Sequence, residues 1–342
     1  MKKKPTTYYL LKLNSMIKSH RVKFFGLWWL HVLNRRYLAV NFDPVNQCNL
    51  RCKMCYFTDE NYVKTLKGTF DPKELPLWAE RSLPRALKLQ VGCGTEPTLY
   101  KHLDTIFELG KQYKVPHISL TTNANLLEKD KLESWIKNGL GEITVSLHGV
   151  YKDTYEFMMG KGDYEKFHNS LAIITELKEK YPDLVLRINY TFNEDNFEEL
   201  KDFYQVYGKH KIDIIQIRPL SKIGDTAYTN FSLEKIIPVY DNFIKTFKKE
   251  SQKRGVTLLA AATKENLIQR SNEESLVFHY TYFYVSPTRF WKEDYDWKNE
   301  SFNQYCKRKK WGKELLRIAF SSKKKLRHLQ REENLNYHID LN

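Results

Sequence analysis

The stretch Cys48-Asn49-Leu50-Arg51-Cys52-Lys53-Met54-Cys55 decides how the fold of this chain is interpreted. It contains three of the five cysteines of the chain, spaced C-x3-C-x2-C. It follows the apolar run Tyr37–Asp43, which predicts a buried strand closed by Pro44. Thiolates at the carboxyl end of a strand are soft ligands that suit an iron–sulfur cluster or zinc. Three cysteines on a four-iron cluster leave one iron without a protein ligand, which a reactive metal site requires.

The composition narrows the class of protein. The chain has 342 residues, of which 42% are apolar, and this is enough for a large core. No apolar run reaches the roughly 18 residues that a membrane span needs. Five cysteines without a paired pattern predict a reducing, cytoplasmic location. The net charge of +15 predicts attraction to an acidic partner, such as a membrane surface, a nucleic acid, a protein or a peptide.

Strand-like and helix-like patterns alternate from Tyr37 to about Pro219. The patterns predict strands at Leu38–Phe42, Leu87–Val91, His117–Thr121, Glu142–Leu147, Leu184–Tyr190 and Ile212–Ile217. They predict helices at Asp71–Leu83, Leu103–Tyr113, Leu127–Lys137, Lys166–Lys180 and Phe197–Tyr207, with Asp71 and Asn196 as N-caps. Six β–α units in this order predict a parallel sheet with right-handed crossovers. The site is then expected at the carboxyl ends of the strands, where the cysteines fall.

The cysteine motif resembles the C-x3-C-x-φ-C signature of radical S-adenosylmethionine (radical SAM) enzymes. Residues 49–51 inside the spacer and Tyr56-Phe57 after it are most similar to the peptide-modifying and sulfatase-maturing branch. The resemblance implies that Cys48, Cys52 and Cys55 hold a [4Fe–4S] cluster, whose fourth iron is chelated by SAM. It also implies that one electron from the cluster cleaves SAM to methionine and a 5′-deoxyadenosyl radical, which takes a hydrogen atom from the substrate.

The same resemblance implies a fold and a set of partners. The family has a partial (β/α)6 barrel, so an α/β, TIM-like partial barrel is expected at residues 37–220. A basic amphipathic extension, 1–36, precedes it, and an aromatic and basic extension, 221–342, follows it. The electron is expected from a reducing partner such as flavodoxin or ferredoxin. Met54 stands at φ, where an aromatic residue is usual, and its thioether is expected to pack against adenine, with Tyr56 also in the cofactor site.

Two further motifs follow the second and third strands. The segment Gly92–Thr98 resembles the family's GGEP segment, which binds the SAM amino group. Gly94 allows the backbone to approach a ligand, and the Glu96 carboxylate can accept a hydrogen bond from an ammonium group. The segment Thr121–Asn125 is similar to the family's TNG turn. Asn123 is expected to contact the methionine carboxylate or the neighbouring loop, and a helix-capping role is the alternative.

The remaining candidate residues lie on the fourth to sixth strands. The segment Ser146-Leu147-His148-Gly149 resembles the family's SxDG motif, in which the serine contacts the ribose or carboxylate of SAM. Arg187 is a candidate for the carboxylate clamp that the branch carries elsewhere, and a salt bridge in the barrel wall is the alternative. Gln216 and Arg218, at the end of the sixth strand, are expected to face the adenine or the substrate.

The two ends of the chain leave alternatives open. Relatives in this branch often carry cysteine-rich SPASM or twitch domains, but Cys306 is the one cysteine of residues 221–342, which predicts a single cluster. The aromatic stretch Phe278–Trp311 either lines the substrate opening or packs against the barrel. Residues 1–36 carry no Asp or Glu. Their Trp-rich run, Phe24–Leu33, either covers the bottom of the barrel or lies in a membrane interface.

The sequence therefore predicts a radical SAM enzyme with a peptide or protein substrate. A small-molecule, glycan or lipid substrate stays open. The alternative from another class is a zinc-stabilised basic protein that binds nucleic acid. It is not favoured, because zinc sites use four ligands and no second C-x2-C or H-x3-H follows Cys55 nearby. The basic runs 307–310 and 323–327 lie at the end of the chain and form no nucleic-acid motif.

Overall fold

A single sheet of nine strands carries the fold within the described residues. The structure is a computed structural model and describes residues 16–223, 226–268, 274–322 and 326. The strands are β1 (Leu38–Phe42), β2 (Ala86–Val91), β3 (His117–Thr122), β4 (Glu142–Leu147), β5 (Val185–Phe192), β6 (Ile214–Pro219), β7 (Thr257–Leu259), β8 (Tyr282–Ser286) and β9 (Arg289–Phe290). Their order is β7-β6-β5-β4-β3-β2-β1-β8-β9, and neighbouring strands are parallel except β8 with β9.

Helices connect these strands and cover the outer face of the sheet. They are α1 (His20–Val32), α2 (Glu60–Thr65), α3 (Leu75–Ser82), α4 (Leu103–Gln112), α5 (Lys129–Lys137), α6 (Lys152–Met158), α7 (Tyr164–Lys180), α8 (Phe203–Tyr207), α9 (Ile237–Lys253), α10 (Lys264–Ile268), α11 (Glu274–Thr281), α12 (Phe302–Arg308) and α13 (Trp311–Ala319). Each crossover from β1 to β7 contains at least one of them. This is the α/β partial barrel that the alternating patterns predict, so the predicted fold class is confirmed.

The two faces of the sheet differ in polarity because side chains alternate along each strand. On β1, Phe42 stacks on Trp78 of α3, with ring centroids 4.4 Å apart. The next side chain, Asp43, points the other way and accepts a hydrogen bond from the Cys93 amide over 2.7 Å. The face under the helices is therefore apolar, whereas the inner face carries polar side chains toward one enclosed space.

The C-terminal aromatic stretch adds a strand to the sheet. Strand β8 pairs in parallel with β1, in the register Val40↔Phe283 and Asn41↔Tyr284. Phe283 is fully buried and stacks on Trp291 at 4.6 Å between centroids. Tyr282 and Tyr284 lie on the opposite face, inside the barrel, with parallel rings 6.3 Å apart. The stretch therefore fulfils both alternatives, because Phe283 packs in the core whereas Tyr282 and Tyr284 line the interior of the barrel.

The observed boundaries follow the predicted ones closely, with one wrong cap. Strands β1 and β4 begin and end at the predicted residues. Asp71 is a cap as predicted, because its carboxylate accepts from the Lys73 amide over 2.9 Å. Asn196 is not: its amide donates to the carbonyls of His148, over 2.8 Å, and Thr191, over 3.0 Å. The side chain of an asparagine between a strand and a helix can either cap the helix or bond to neighbouring loops. Here it connects the segments that follow β4 and end β5.

Helix α1 covers the amino-terminal edge of the strands, which is one of the two placements expected for the Trp-rich run. The Arg85 guanidinium, directly before β2, donates to the His31 carbonyl over 2.8 Å and to Asn34 Oδ1 over 2.6 Å. At the other end of α1, His20 Nε2 and the Ser321 carbonyl oxygen lie 3.0 Å apart, so α13 runs beside α1. Residues 1–15, and most of the basic run 323–327, lie outside the described residues.

Candidate active site

A cavity of 360 Å³ opens at the carboxyl ends of the strands. Most of the predicted site residues line it: Cys48, Cys52, Cys55, Met54, Tyr56, Gly94, Glu96, Asn123, Ser146 and Arg218. They come from five separate segments of the chain, which meet because parallel strands place their carboxyl ends at one edge. The fold thus brings together residues that are up to 170 positions apart, from Cys48 to Arg218.

The backbone of the cysteine loop is hydrogen-bonded to residues 158–160, at the C-terminal end of α6. The Arg51 amide donates to the Gly160 carbonyl over 2.6 Å, and the Lys53 amide donates to the Met158 carbonyl over 2.9 Å. A Cβ at position 160 would stand 2.5 Å from the Arg51 carbonyl oxygen, so the approach depends on glycine. Met158 and Met159 stand in the region where the branch usually carries an arginine, and here residues 158–160 hold the cysteine loop instead.

The three thiols lie around one end of the cavity and are mostly buried. Burial raises the pKa of Cys48 to about 12, with a smaller contribution from the charge of Glu96. Burial and the two neighbouring thiols raise the pKa of Cys52 well above its ordinary value. Binding of a metal cluster would remove these protons, because thiolates are the ligating form. In the part of the chain that the structure describes, no group of three Cys, His, Asp or Glu side chains is close enough together to bind one metal ion.

Asp43 organises the loop after β2, and sequence reasoning missed it. Its carboxylate is fully buried and accepts hydrogen bonds from the amides of Cys93, over 2.7 Å, and Gly94, over 3.0 Å. It also accepts from the Thr95 hydroxyl over 3.1 Å and the Tyr284 hydroxyl over 2.9 Å. An acidic residue at the end of a buried strand, directly before a proline, was the sequence feature that could have identified it.

Glu96 connects the loops that follow β2 and β3. Its Oε1 accepts from the Thr122 hydroxyl over 2.8 Å and from the Thr98 hydroxyl over 2.7 Å. Its Oε2 accepts from the Asn123 amide over 2.8 Å. Because a carboxylate offers about four acceptor positions, two on each oxygen, Oε2 keeps room for a second hydrogen bond. Asn123 in turn donates to Asn49 Oδ1 over 2.8 Å, which is the predicted contact with the neighbouring loop.

The turn after β3 departs from its motif in one respect. Ala124 stands where the family's TNG turn has glycine, and its φ is +61°, in the left-handed region. An L-residue other than Asn or Asp rarely adopts this conformation, so the backbone there is strained. The Ser170 hydroxyl donates to the Ala124 carbonyl over 2.5 Å, and this bond helps to hold the turn.

His148 contributes a neutral imidazole to the cavity wall. Burial, together with the positive charge of Arg218, lowers its pKa to about 3. Its Nδ1 lies 2.6 Å from the Thr191 hydroxyl oxygen. Met54 packs with Met158 and Leu220 in a small apolar cluster on the same side of the cavity. This wall therefore combines apolar contacts with uncharged hydrogen-bonding groups, and Arg218 adds a positive charge.

Arg187 and Gln216 lie deeper in the barrel and are absent from the cavity lining among the described residues. The Arg187 guanidinium donates to Gln216 Oε1, and its Nη1 lies 3.8 Å from Glu142 Oε1. His117 Nε2 lies 3.2 Å from Glu142 Oε2. Arg187 comes four residues before Thr191, about 13 Å further from the mouth, because each residue of a strand advances about 3.3 Å. The salt-bridge alternative for Arg187 thus describes its position better than the carboxylate clamp.

Fold and site together define an α/β-barrel protein in which three cysteine thiols line a cavity at the carboxyl edge of the sheet. Residues 43–206 match the model of the radical SAM superfamily. The chain therefore carries a radical SAM domain, and the predicted family is confirmed. This superfamily uses a [4Fe–4S] cluster together with SAM, and the three cavity-lining thiols and the neighbouring acceptor groups fit that pair of cofactors.

The chain is also similar to curated relatives and to solved structures. The chain is 28% identical over 241 residues to a GTP 3',8-cyclase of Clostridium botulinum, covering 68% of this chain and 72% of that protein. Streptococcus suis SuiB bound to S-adenosylmethionine has a TM-score of 0.56 at 18% identity, covering 75% of this chain and 60% of that one. Native anSMEcpe with bound AdoMet and Cp18Cys peptide has a TM-score of 0.56 at 15% identity, with 83% and 84% covered.

The similarities differ in sequence identity and in the share of each chain that they cover. At their low identity, the two solved structures establish the fold alone. The chain spans between 35% and 72% of the length of the first two curated relatives that it matches. In the described residues, no helix combines the length and the apolar character that crossing a membrane demands.

Proposed function

We propose that the protein is a radical SAM enzyme that removes a hydrogen atom from a peptide or protein substrate. The observation that carries the proposal is the convergence of three thiols, the Glu96 carboxylate and the Ser146 hydroxyl on one cavity at the carboxyl edge of the sheet. Together, the cluster and SAM supply one-electron reductive cleavage and a group that abstracts hydrogen. We expect flavodoxin or ferredoxin to provide the electron, in a reducing cytoplasm.

The side chains of this chain would bind and orient these groups. Cys48, Cys52 and Cys55 would ligate the cluster. Glu96 would accept from the SAM ammonium group, because it is a carboxyl group on a residue that lines the cavity. Ser146 would contact the ribose or carboxylate, while Met54, with Leu220 beside it, would pack against adenine. Exclusion of water by the closed loops would protect the reactive species from side reactions.

The size of the cavity supports a substrate that binds across its mouth. A volume of 360 Å³ lies near the lower end of the range of roughly 300–1,000 Å³ for small-molecule sites. It suits one cofactor and leaves little enclosed space for a second large molecule. Tyr282, Tyr284, Ser221 and Ile223 also line the cavity. A peptide laid across the mouth would present one residue to the cofactor.

The second candidate substrate is a nucleotide or another small molecule, which the likeness to a GTP 3',8-cyclase favours. Recognition of a triphosphate uses several cationic side chains. Among the described residues that line the cavity, Arg218 is the one lysine or arginine, and it faces a site that also contains Asp43 and Glu96. A single cationic side chain in the lining favours an uncharged substrate segment over a polyphosphate.

Anaerobic reconstitution tests the proposed activity. Protein supplied with iron and sulfide should hold about four irons and four sulfides per chain. With SAM and dithionite it should release 5′-deoxyadenosine. An intact cluster without 5′-deoxyadenosine would overturn the activity, and about one zinc per chain would favour the nucleic-acid-binding alternative.

The substrate class needs a separate measurement. Incubation in deuterated buffer with a panel of peptides, and in parallel with GTP, should show substrate-dependent stimulation of 5′-deoxyadenosine. Stimulation by a peptide and none by GTP supports the first candidate. The reverse result replaces it with the second and leaves the radical SAM assignment intact.

A further inference from the structure

One face of α1 exposes a continuous apolar stripe. Its members recur at intervals of three and four residues, so they lie on one side of the helix. Phe25 is 42% exposed, Trp29 is 46% exposed and Leu33 is 54% exposed. Val22 and Val32 flank them, with exposures of 56% and 50%. We call Val22, Phe25, Trp29, Val32 and Leu33 the α1 stripe.

The opposite face of α1 already makes the contacts that hold the helix to the barrel. Phe24 is buried and meets Tyr280 edge to face, with centroids 5.8 Å apart. Gly312 of α13 sits so close that a Cβ there would lie 3.6 Å from His31 Cδ2 and 3.9 Å from Trp28 Nε1. A helix that is apolar on all sides is normally covered on all sides. The described residues cover the inner side of α1, and the stripe faces outward.

The surroundings of the stripe are positively charged. Lys18 and Arg21 precede it on exposed positions, and Arg35 follows it. At its C-terminal end, a groove of 530 Å³ is lined by Lys307, Lys310 and other residues that include Val32 of the stripe. The first acidic residue of the whole chain is Asp43, which is buried in the active site. Glu314 of α13 is paired with Arg317 at 2.9 Å.

Helix α13 extends this surface beyond α1. Phe320, directly after α13, is 75% exposed, the highest exposure among the large apolar side chains described. It lies beside Ser321, whose carbonyl oxygen is 3.0 Å from His20 Nε2 at the start of α1. The exposed side chain of Phe320 therefore lies near the N-terminal end of α1, where the stripe begins.

We propose that the α1 stripe and Phe320 form a surface that binds an anionic membrane. Tryptophan and phenylalanine with flanking lysine and arginine are the composition of helices that lie in the interface of a bilayer. Basic side chains near the surface strengthen such binding to anionic lipids. The absence of acidic residues before Asp43 favours a lipid surface over a second copy of this chain, because two copies would bring two basic faces together.

The proposed surface sets the orientation of the active site. Helix α1 covers the amino-terminal edge of the strands, through Arg85, whereas the cysteines lie at the carboxyl edge. The mouth of the cavity would therefore face away from the membrane. A substrate would reach it from solution, and a lipid in the bound bilayer would not.

Vesicle binding by the full-length, iron-loaded protein tests the proposal. The probes are sedimented vesicles of phosphatidylcholine alone and of phosphatidylcholine mixed with phosphatidylglycerol. We expect binding to the mixed vesicles, at least about tenfold weaker binding to neutral vesicles, and loss of binding at high salt. The double variants Phe25→Ser with Trp29→Ser, and Lys18→Glu with Arg21→Glu, should each weaken binding by about tenfold or more.

Matched variants on another helix control for general changes of surface. Val239→Ser removes an apolar side chain of α9 that is 50% exposed, and Lys248→Glu with Lys249→Glu reverses two exposed charges of the same helix. Both should bind vesicles more strongly than the corresponding α1 variants. Iron content and thermal unfolding should match the wild type in all four, since every changed side chain is exposed.

Three outcomes would overturn the proposal. The first is a wild-type protein that stays in the supernatant with anionic vesicles. The second is vesicle binding that the α9 variants reduce as much as the α1 variants do. The third is a wild-type dimer that the Phe25→Ser and Trp29→Ser changes convert to a monomer without any vesicle binding, because the occupant of the stripe would then be a second copy.

Discussion

The two ends of the barrel interior use polar side chains differently. Near the amino-terminal edge, Glu142, His117 and Arg187 contact one another and are buried. Near the carboxyl edge, Glu96, Ser146 and Arg218 surround a cavity that reaches the cysteines. Strand β4 supplies one member of each group, because Glu142 and Ser146 lie four residues apart on it. The comparison shows that a polar side chain inside the barrel does not by itself indicate a binding site. Its distance from the mouth of the cavity decides whether it can contact a ligand.

The largest expected effect is at the mouth. Replacing Cys52 by Ala removes one of three cluster ligands, so bound iron should fall to background and 5′-deoxyadenosine formation should drop by more than about a thousandfold. Metal analysis and product chromatography measure both. The control is Cys306→Ala, because Cys306 is buried in α12 outside the cavity lining. Iron retained by the Cys52 variant would contradict the ligand assignment.

A change at the deeper end should affect stability instead. Burial would raise the pKa of Glu142, but the hydrogen bond from His117 and the charges of His117 and Arg187 hold it below its usual range. Glu142→Ala leaves the Arg187 guanidinium without its buried carboxylate and removes the hydrogen-bond partner of His117, so it should cost about 3–5 kcal/mol. Urea unfolding of the metal-free chain measures this.

The control for Glu142 is an exposed ion pair. Glu128 lies 2.8 Å from Lys131 on the surface, and Glu128→Ala should change the free energy of unfolding little. If the Glu142 and Glu128 variants were equally stable, the deeper group would not be the structural network that its contacts indicate.

The sequence predicted the site better where one short motif carried several ligands. The cysteines could be assigned because their spacing alone restricts the chemistry. Glu96 was identified from its motif, but its bonds to Thr122 and Asn123 depend on two loops meeting in space. Asp43 was missed because its partners, on the loop after β2 and at Tyr284, meet it only in the folded chain.

The strands were easier to predict than what lies between them. Apolar runs with clear ends gave β1 and β4 their boundaries. Strand β8 was missed as a strand because aromatic residues at 280–284 fit a core helix as well, and its partner β1 lies about 240 positions away. Arg187 was placed on the right strand, but a position along a strand says little about depth until the register is known.

A glycine substitution tests whether residues 158–160, at the end of α6, support the cysteine loop. Gly160→Ala brings a Cβ to 2.5 Å from the Arg51 carbonyl oxygen, so the loop must shift. We expect a cost of about 1–3 kcal/mol and lower iron content. Gly26→Ala is the matched control, because nothing lies within 4 Å of the added Cβ and an exposed helix favours alanine. Equal iron content in the two variants would argue against the supporting role.

A further expected effect is a pH dependence of the stability, which arises from His148 in the cavity wall. The pKa of His148 is lowered to about 3 in the folded protein from an ordinary value of 6.5. The unfolded chain therefore binds the proton more readily, so the stability due to neutral His148 is present above pH 6.5 and is lost as the pH falls toward 3. The slope is at most about 1.4 kcal/mol per pH unit.

Comparison of His148→Gln with His102→Gln checks this dependence. His102 is exposed, so its replacement should leave the slope of unfolding free energy against pH unchanged. The His148 variant should show a shallower loss of stability between pH 6.5 and pH 5. Identical slopes in both variants would mean that His148 titrates normally in the folded state.

Electron paramagnetic resonance of the dithionite-reduced protein, with and without SAM, tests the central claim most directly. Three cysteines should hold a four-iron cluster whose remaining iron is open to SAM. The account predicts a [4Fe–4S]⁺ signal that changes when SAM is added. A reduced cluster whose signal is the same with and without SAM would contradict it.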